Sequence, residues 1–378
     1  MNKYSFKIKF KSNKNKARIG ELFLPAGKVE TPCFMPDATY AYIKALPFFI
    51  YNMIQPTQTI RSKNYNKMVV INTLHSFLNI EESILNDTNG LSNFIHNETS
   101  ILTDSGGFQV YSLGIKQDAK ITSKGIDFKN PRNGKKLFYS PEIAMNTQNL
   151  LKSDIRVALD YFTNPHGNKY ENEKSVKITS EWAQISKKIW ETGDKQSLLI
   201  AVVQGDTDLK LREKSYLDLS KIGFDGFGFG GWPLTSEKVL DIKTLEHFCE
   251  MITASPTHTP FRYAMGIGTP DDIKRCIELG FDLFDTVLPT RNARHGYLFT
   301  NDEPVRINSS KYQRDYKPID PNCNCITCQK YTRAYLHYLF RIKSDFGFTL
   351  ATIHNIAHFE SIIEKAKNEI LTDISCQR

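Results

Sequence analysis

The chain has 378 residues, 40% of them hydrophobic, and its 49 basic and 41 acidic side chains give a formal net charge of +8. This length is too great for most small folds and favours one large α/β domain with a smaller module. No apolar run reaches the roughly 20 residues that cross a bilayer, and the charged N-terminus lacks a signal-peptide core. We therefore expect a cytoplasmic protein without a membrane segment. The basic charge favours a polyanionic partner, nucleic acid first, although nucleotide bias in a genome also enriches Lys, Asn and Ile.

Eight short apolar runs, separated by helix-like stretches, predict eight strands. They are Cys33–Pro36, Val69–Ile71, Ile101–Thr103, Ile155–Leu159, Leu198–Val203, Gly226–Phe229, Tyr263–Met265 and Phe281–Phe284. Intervening segments such as Val176–Ile189 and Leu209–Ile222 carry apolar residues at helical spacing. Eight βα units in sequence predict an α/β fold of the (β/α)8 TIM-barrel type. An open, doubly wound sheet is the alternative.

Polar residues follow most of these predicted strands. The residues at the eight exits are Asp37, Asn72, Asp104, Asp160, Gln204, Gly230, Gly266 and Asp285. Active sites of TIM barrels lie at the carboxyl ends of the strands. The pattern therefore predicts a working site at that end of the barrel.

Two additions interrupt the regular plan. Lys120–Ser140 predicts a hairpin inserted after the third strand, with Asn133-Gly134 as its turn. A later segment, from about residue 308, contains two helical patterns. The first has one face formed by Tyr331, Tyr335, Tyr338, Leu339 and Ile342. We predict a catalytic barrel over residues 1–307, with the hairpin at about 120–140, and a C-terminal subdomain over residues 308–378.

Gly226, Gly228 and Gly231 match the spacing of a dinucleotide-binding fingerprint. That fingerprint opens the first βα turn of its domain, whereas five predicted strands precede these glycines. Trp232-Pro233 also stands where a helix should begin. We therefore predict no nicotinamide cofactor. Backbone exposed at Gly230-Gly231 is instead suited to lie against a flat ring, because no Cβ intervenes.

The run from Asp104 to Gln109 follows the third strand and reads Asp-Ser-Gly-Gly-Phe-Gln. Its glycines expose amide groups to a planar ligand, and Phe108 supplies a stacking face. Asp104 is a candidate catalytic carboxylate, with helix capping as the structural alternative. At two later exits, Asp160 and Gln204 carry groups that can read the hydrogen-bonding edge of a base.

The run from Asp285 to Arg291 ends the eighth strand. A carboxylate on a rigid strand can attack the anomeric carbon of a sugar and form a covalent glycosyl-enzyme. Arg291 and Arg294 follow, and arginines suit the phosphates that flank such a sugar. The alternative is a surface ion pair between Asp285 and an arginine.

Cys323, Cys325 and Cys328 form a tight knuckle, and His354 follows 25 residues after the last of them. Three thiolates and one imidazole can complete a tetrahedron around zinc, and four protein ligands leave no position for a reactive water. The spacing therefore predicts a structural zinc site. Unrelated cysteines and a core histidine are the alternative. The other four of the seven cysteines are scattered, which is typical of a reducing compartment.

Taken together, these motifs resemble those of the tRNA-guanine transglycosylases, or queuine tRNA-ribosyltransferases, over nearly the full chain. The motifs that carry the resemblance are Phe34-Met35-Pro36, Asn72-Thr73-Leu74-His75, Leu102–Gln109, Val203-Gln204-Gly205, Gly223–Gly226, Met265–Gly268, Asp285–Arg291 and the four zinc-ligand residues. The resemblance implies exchange of guanine at the anticodon wobble position for a 7-deazaguanine, on tRNA with a GUN anticodon. It also implies a TIM barrel, a zinc subdomain and a homodimer.

Residue roles follow from the same resemblance. Asp285 would be the nucleophile and Asp104 the general acid/base. The positions implied to bind the base are Phe108, Asp160, Gln204, Gly230, Gly231 and Met265, with Phe108 and Met265 sandwiching the ring.

The base pocket departs from the family pattern. Tyr161-Phe162 replaces the Glu-Cys of most bacterial members, Trp232-Pro233 replaces Leu-Ala, and Glu237 is one position displaced from a supporting glutamate. The incoming base therefore stays open among the aminomethyl form, queuine and the nitrile. Base exchange on DNA, or a non-catalytic partner subunit that binds tRNA, are the alternative functions.

Overall fold

A computed structural model describes residues 4–54, 65–114, 119–130, 132–163, 167–193, 195–253 and 259–375. Within these residues the strands are β1 (Ser5–Lys11), β2 (Arg18–Leu24), β3 (Gly27–Thr31), β4 (Cys33–Pro36), β5 (Met68–Asn72), β6 (Ser100–Asp104), β7 (Lys120–Thr122), β8 (Gly125–Lys129), β9 (Lys136–Tyr139), β10 (Ile155–Val157), β11 (Leu198–Val203), β12 (Gly226–Phe229), β13 (Phe261–Ala264), β14 (Leu283–Thr286), β15 (Tyr297–Leu298) and β16 (Val305–Arg306).

The helices of the same described ranges are α1 (Phe48–Met53), α2 (Thr73–Asn79), α3 (Glu82–Asp87), α4 (Leu91–Phe94), α5 (Gly107–Gly114), α6 (Pro141–Leu151), α7 (Lys169–Thr192), α8 (Leu209–Ile222), α9 (Ile242–Thr253), α10 (Pro270–Glu278), α11 (Leu288–Arg294), α12 (Ile326–Lys330), α13 (Arg333–Arg341) and α14 (Asp345–Ser375). None of these helices combines the length and apolar character that a membrane crossing requires.

The eight predicted strands form one parallel sheet in the order β4-β14-β13-β12-β11-β10-β6-β5. The two end strands meet where Asp37 bridges to Val70 and the Ala38 N–H donates to the Val70 carbonyl at 2.8 Å. The prediction of a (β/α)8 barrel is confirmed, and the open doubly wound alternative is wrong. The boundaries of several strands shift by one or two residues from the prediction.

Strand β11 shows why these sequences form barrel staves. All six of its residues are buried. Leu198, Ile200 and Val202 pack inside the barrel, whereas Leu199 and Ala201 face the surrounding helices. A parallel strand covered on both faces reads as a continuous apolar run, which is why the sequence signal was strong.

The segment after α5 forms an antiparallel sheet of three strands, β7, β8 and β9. The predicted hairpin corresponds to β8 and β9, and Gly134 in its turn has a positive φ of 71°. The third strand, β7, was not predicted because Lys120–Thr122 is short and mostly polar. We call this three-stranded sheet the insert.

An N-terminal sheet of β1, β2 and β3 covers the strand-entry end of the barrel. Leu22 and Leu24 of this sheet join the same apolar cluster as barrel-interior residues such as Met68. This end is therefore closed, and the carboxyl ends of the strands remain as the opening for a site.

The C-terminal segment packs directly on the barrel through α14. The ring of Phe359 lies 5.1 Å from that of Phe34 in β4, measured between centroids. Val305 and Ile307 share a buried cluster with Leu336. The boundary between residues 307 and 308 stays a prediction, because one apolar cluster continues across it.

Candidate functional site

Four polar side chains predicted for the site lie at the carboxyl ends of their strands. Asp104 is the last residue of β6, Asp285 lies in β14, and Asp160 and Gln204 follow β10 and β11. Asp160 accepts a hydrogen bond from Gln204, and burial together with the nearby negative charge of Asp104 raises the pKa of Asp285. The structure therefore brings the predicted carboxylates together at one opening.

Asp104 accepts several hydrogen bonds, but its surroundings disfavour the ionised form of its carboxyl group. Asn72 donates from Nδ2 to Oδ2 at 2.9 Å, and the backbone N–H groups of Ser105 and Gly106 also stabilise the carboxylate. Burial outweighs them and, with the negative charge of Asp160, raises the pKa of Asp104 to about 7. A carboxyl poised near neutrality can both give and take a proton.

Asp160 is buried, and each of its two carboxylate oxygens accepts a hydrogen bond from a neighbouring side chain. Ser105 donates from Oγ to Oδ1 at 3.2 Å, and Gln204 donates from Nε2 to Oδ2 at 2.7 Å. Burial raises the pKa of Asp160 to about 6. Gly107 permits this arrangement, because a Cβ there would lie 2.6 Å from the Asp160 carbonyl oxygen. The two loops approach each other only with glycine at this position.

One oxygen of Asp285 is held in place by two donors. The hydroxyl of Tyr263 and the N–H of Gly266 both donate to Oδ1, at 2.7 and 2.8 Å. Burial nevertheless raises the pKa of Asp285 to about 6. Among the described residues no arginine forms an ion pair with this carboxylate, so the ion-pair interpretation is wrong.

Aromatic and thioether groups surround the opening. Phe108 is 45% exposed, and the buried Phe162 meets it edge-on with ring centroids 5.1 Å apart. The side chain of Met265 packs against Gly228, where an added Cβ would lie 2.7 Å from the Met265 Sδ. Trp232, 38% exposed, stands beside Gly231. The aromatic rings offer flat surfaces to a planar heterocycle, and the thioether offers a polarisable contact.

A buried arginine that the sequence reasoning missed supports the Gly230-Gly231 turn. The guanidinium of Arg212 donates to the backbone carbonyls of Val203, Asp206 and Gly230 at 2.6 to 3.1 Å. Burial lowers the pKa of Arg212 to about 9. The turn is followed by a loop and not by a helix, since α9 begins at Ile242. The rejection of a dinucleotide fingerprint is consistent with this geometry.

The two predicted phosphate-binding arginines lie in α11, directly after β14. Arg291 is exposed. Arg294 donates from Nε to the Thr290 carbonyl and lies close enough for its charge to oppose the burial-raised pKa of Asp37. Both positions are at the rim of the same opening.

The four predicted metal-ligand residues lie together. One donor atom from each of Cys323, Cys325, Cys328 and His354 falls within 4.8 Å of the others. Nδ1 of His354 lies 3.3 Å from the sulfur of Cys328, while its Nε2 lies 2.7 Å from the Phe299 carbonyl. That carbonyl contact leaves Nδ1 for a metal. The donor set fits tetrahedral zinc, whose ligand atoms stand roughly 3.5 to 3.8 Å apart for bonds of about 2.0 to 2.3 Å.

A sequence model described as Queuine tRNA-ribosyltransferase matches residues 12–375. The chain belongs to the queuine tRNA-ribosyltransferase family. The protein called Queuine tRNA-ribosyltransferase in Francisella tularensis subsp. novicida (strain U112) is 37% identical over 356 residues, covering 94% of this chain and 92% of that protein. Its counterpart in Francisella tularensis subsp. tularensis (strain WY96-3418) is 36% identical over the same lengths.

Queuine tRNA-ribosyltransferase membership makes the protein a glycosyltransferase of the tRNA-guanine transglycosylase type. The sequence-based assignment to this family is confirmed. The roles of individual site residues stay predictions. Tyr263, Asn72 and Arg212 were given no role in the sequence reasoning, although each contacts a residue that was. Asn72 had a sequence signal as a polar residue at a strand exit, and Arg212 had one as a charged residue on the buried face of α8.

Proposed function

We propose that the protein exchanges guanine at the wobble position of tRNA with a GUN anticodon for a 7-deazaguanine, through a covalent link to Asp285. The observation that best supports this proposal is that two carboxylates at one opening have different surroundings. Asp285 has Oδ1 fixed by Tyr263 and Gly266, and no described residue donates to its Oδ2. Asp104 has a pKa raised to about 7. One group is oriented for attack and the other is suited to proton transfer.

The exchange runs in two balanced halves. In the first, Oδ2 of Asp285 bonds to C1′ of the ribose, the bond from C1′ to guanine breaks, and guanine leaves with its electron pair and a proton from Asp104. In the second, the incoming base gives a proton to Asp104 and attacks C1′, which releases Asp285. The exchange needs no nucleoside triphosphate as an energy source, because one glycosidic bond replaces another.

Base recognition is assigned to the predicted binding residues. Asp160 and Gln204 face each other at 2.7 Å and would turn their hydrogen-bonding groups to the base edge. Gly230 and Gly231 would add backbone groups. Phe108 and Met265 would lie on the two faces of the ring.

Because Phe162 and Trp232 are bulky, the proposal does not select one incoming base. Phe162 occupies the position of a cysteine in most bacterial relatives, according to the resemblance. Glu237 is exposed and lies in the loop before α9. The aminomethyl form, queuine and the nitrile therefore remain candidates for the 7-deazaguanine.

Labelled guanine tests the proposal. The enzyme should incorporate label into tRNA and not into duplex DNA, and the three candidate bases should each be tried for their ability to chase the label out. Label found only in DNA would overturn the choice of polymer. The non-catalytic subunit alternative requires no exchange in either polymer, which the presence of both Asp104 and Asp285 argues against.

The pH profile of kcat/KM for tRNA should be bell-shaped with a maximum between about 6 and 7. Asp285 must be ionised to attack, so the rate should rise as pH increases through about 6. Asp104 must carry a proton at the start, so the rate should fall as pH increases through about 7. The two apparent pKa values of this profile belong to the coupled pair of Asp104 and Asp285 and not to either residue alone. Asp104→Asn should lose most activity and the upper limb, and a wild-type profile flat from pH 5 to 8 would contradict the assignment.

Removing the Tyr263 hydroxyl should slow exchange about tenfold, because the lost hydrogen bond stabilises the ionised Asp285. In Tyr263→Phe the pKa of Asp285 should rise further, and the acidic limb of the pH profile should move upward. The matched control is Tyr216→Phe, a buried tyrosine in α8 outside the site. Equal losses in both variants would show a packing effect only.

The zinc, the dimer and the compartment complete the proposal. Zinc would be held by the four clustered ligand residues and would support the C-terminal segment only. The tyrosine rings of residues 331, 335 and 338 stack in series, and two of them are exposed on α13; a second copy of the chain would cover this face. Sedimentation as a monomer at micromolar concentration would remove the dimer from the proposal. The cytoplasm, where tRNA is processed, is the expected compartment.

A further inference from the structure

The insert carries a dense set of exposed cations. They are Lys120, Lys124, Lys129, Arg132, Lys135 and Lys136, and all six are exposed. Across the described residues between 119 and 139, Asp127 is the one carboxylate. We call these six side chains the basic insert face.

The charges of the basic insert face are not explained by the packing of the sheet. Its inner side is apolar, with Ile126, Phe128 and Tyr139 in a buried cluster beside Trp182. The outer side places Lys129 directly opposite Lys136 on neighbouring strands. Like charges in such a pair destabilise a sheet. Asp127 lies opposite Lys120 on the neighbouring strand, but among the described residues none of the six cations forms a salt bridge.

The insert lies at the rim of the proposed active site. The Tyr139 hydroxyl donates to the carbonyl of Ser105, the residue after Asp104, at 2.7 Å. Arg132, which precedes β9, also lies near the site. Burial lowers the pKa of His75, and the positive charges of Arg132 and Lys44 lower it further. His75 in turn donates its backbone N–H to Asn72, the partner of Asp104. The basic insert face therefore continues outward from the opening.

We propose that the basic insert face binds the sugar–phosphate backbone of the RNA substrate, in the stem that flanks the nucleoside held in the site. The inference rests on the proposed function and names a contact surface for its substrate. Lysine and arginine neutralise phosphates without reading sequence. Phe138, 42% exposed between the cations, adds an aromatic surface for a sugar or an unpaired base. The charge pattern suits a polyphosphate backbone, with an acidic protein as the competing partner.

The test compares two triple variants of the full-length enzyme. Lys129→Gln, Arg132→Gln and Lys136→Gln together neutralise half of the basic insert face. Lys11→Gln, Lys188→Gln and Lys195→Gln together remove the same charge from exposed positions near the strand-entry end of the barrel. Kd for tRNA is measured over a series of salt concentrations, with kcat for labelled guanine at saturating tRNA.

The insert variant should bind tRNA about tenfold more weakly or worse at 150 mM salt, with its log–log salt slope reduced by about two to three. Its kcat should stay within about twofold of the wild type, because the chemistry is untouched. On a short loop oligonucleotide without the stem, the difference in Kd should largely vanish. The control variant should show no more than the small change expected from net charge.

Two results would overturn the inference. One is an insert variant whose Kd and salt slope match those of the control. The other is unchanged tRNA binding with lost binding to polyglutamate, which would assign the surface to an acidic protein. A wild type that places no label in tRNA would instead refute the proposed function, so the two failures are distinguishable.

Discussion

Asp285→Asn is expected to reduce guanine exchange by at least about 10⁴-fold, as loss of a catalytic nucleophile does in other covalent mechanisms. The amide oxygen can still accept from Tyr263 and Gly266, the two donors that hold Oδ1 of the carboxylate. The amide cannot form the glycosyl ester. Wild-type enzyme mixed with tRNA should yield an adduct that survives denaturing electrophoresis, and the variant should yield none.

Asp37→Asn provides the matched control for this substitution. Asp37 directly follows β4, the barrel neighbour of β14, and burial raises the pKa of its carboxyl as it does for Asp285. Its charge contributes to the raised pKa of Asp285, so its removal should change the rate by less than about tenfold. Persistent exchange by Asp285→Asn, or an equal loss in Asp37→Asn, would refute Asp285 as the nucleophile.

The barrel could be predicted because its staves are covered on both faces. Strands such as β5 and β11 have every residue buried, and this produces uninterrupted apolar runs that end at a polar residue. The antiparallel parts gave weaker signals. Strand β1 alternates Lys with apolar residues and is largely exposed, and β7 has three residues. Neither has the composition that distinguishes a buried strand from a loop.

The site could be predicted at the strand ends but not in its supporting contacts. Asp104 and Asp285 were identifiable because a carboxylate after an apolar run is unusual. Tyr263 lies inside such a run, where a tyrosine reads as core, and its hydrogen bond to Asp285 depends on the neighbouring strand. The contact of Phe162 with Phe108 likewise joins residues from separate βα loops. These pairings are set by barrel closure, which no local pattern encodes.

Cys325→Ser should lose the zinc and destabilise the C-terminal segment by at least about 3 kcal/mol, a fraction of what structural zinc contributes in isolated fingers. Cys325 is buried, and its sulfur lies 3.7 Å from Nδ1 of His354. A serine hydroxyl is a poor zinc ligand. When zinc is lost, the knuckle is no longer linked through the metal to His354 of α14. Metal content by atomic absorption should fall from about one zinc per chain to a small fraction, and the unfolding temperature should fall with it.

Cys249→Ser separates metal loss from the loss of a buried thiol. Cys249 is a buried cysteine in α9 that forms no disulfide among the described residues and lies outside the cluster. This control should keep its zinc while losing some stability from packing. Full metal content in Cys325→Ser would contradict the assignment of the ligands.

The zinc variant also tests whether the metal takes part in the reaction. Four protein ligands leave zinc no open position, so any loss of exchange in Cys325→Ser must pass through the fold. The path is α14, which carries both His354 and Phe359, the residue packed on Phe34 of the barrel. At a temperature low enough to keep the variant folded, kcat should therefore return to within about threefold of the wild type. A loss of kcat in the folded, zinc-free variant that equals the loss in Asp285→Asn would assign zinc to the chemistry.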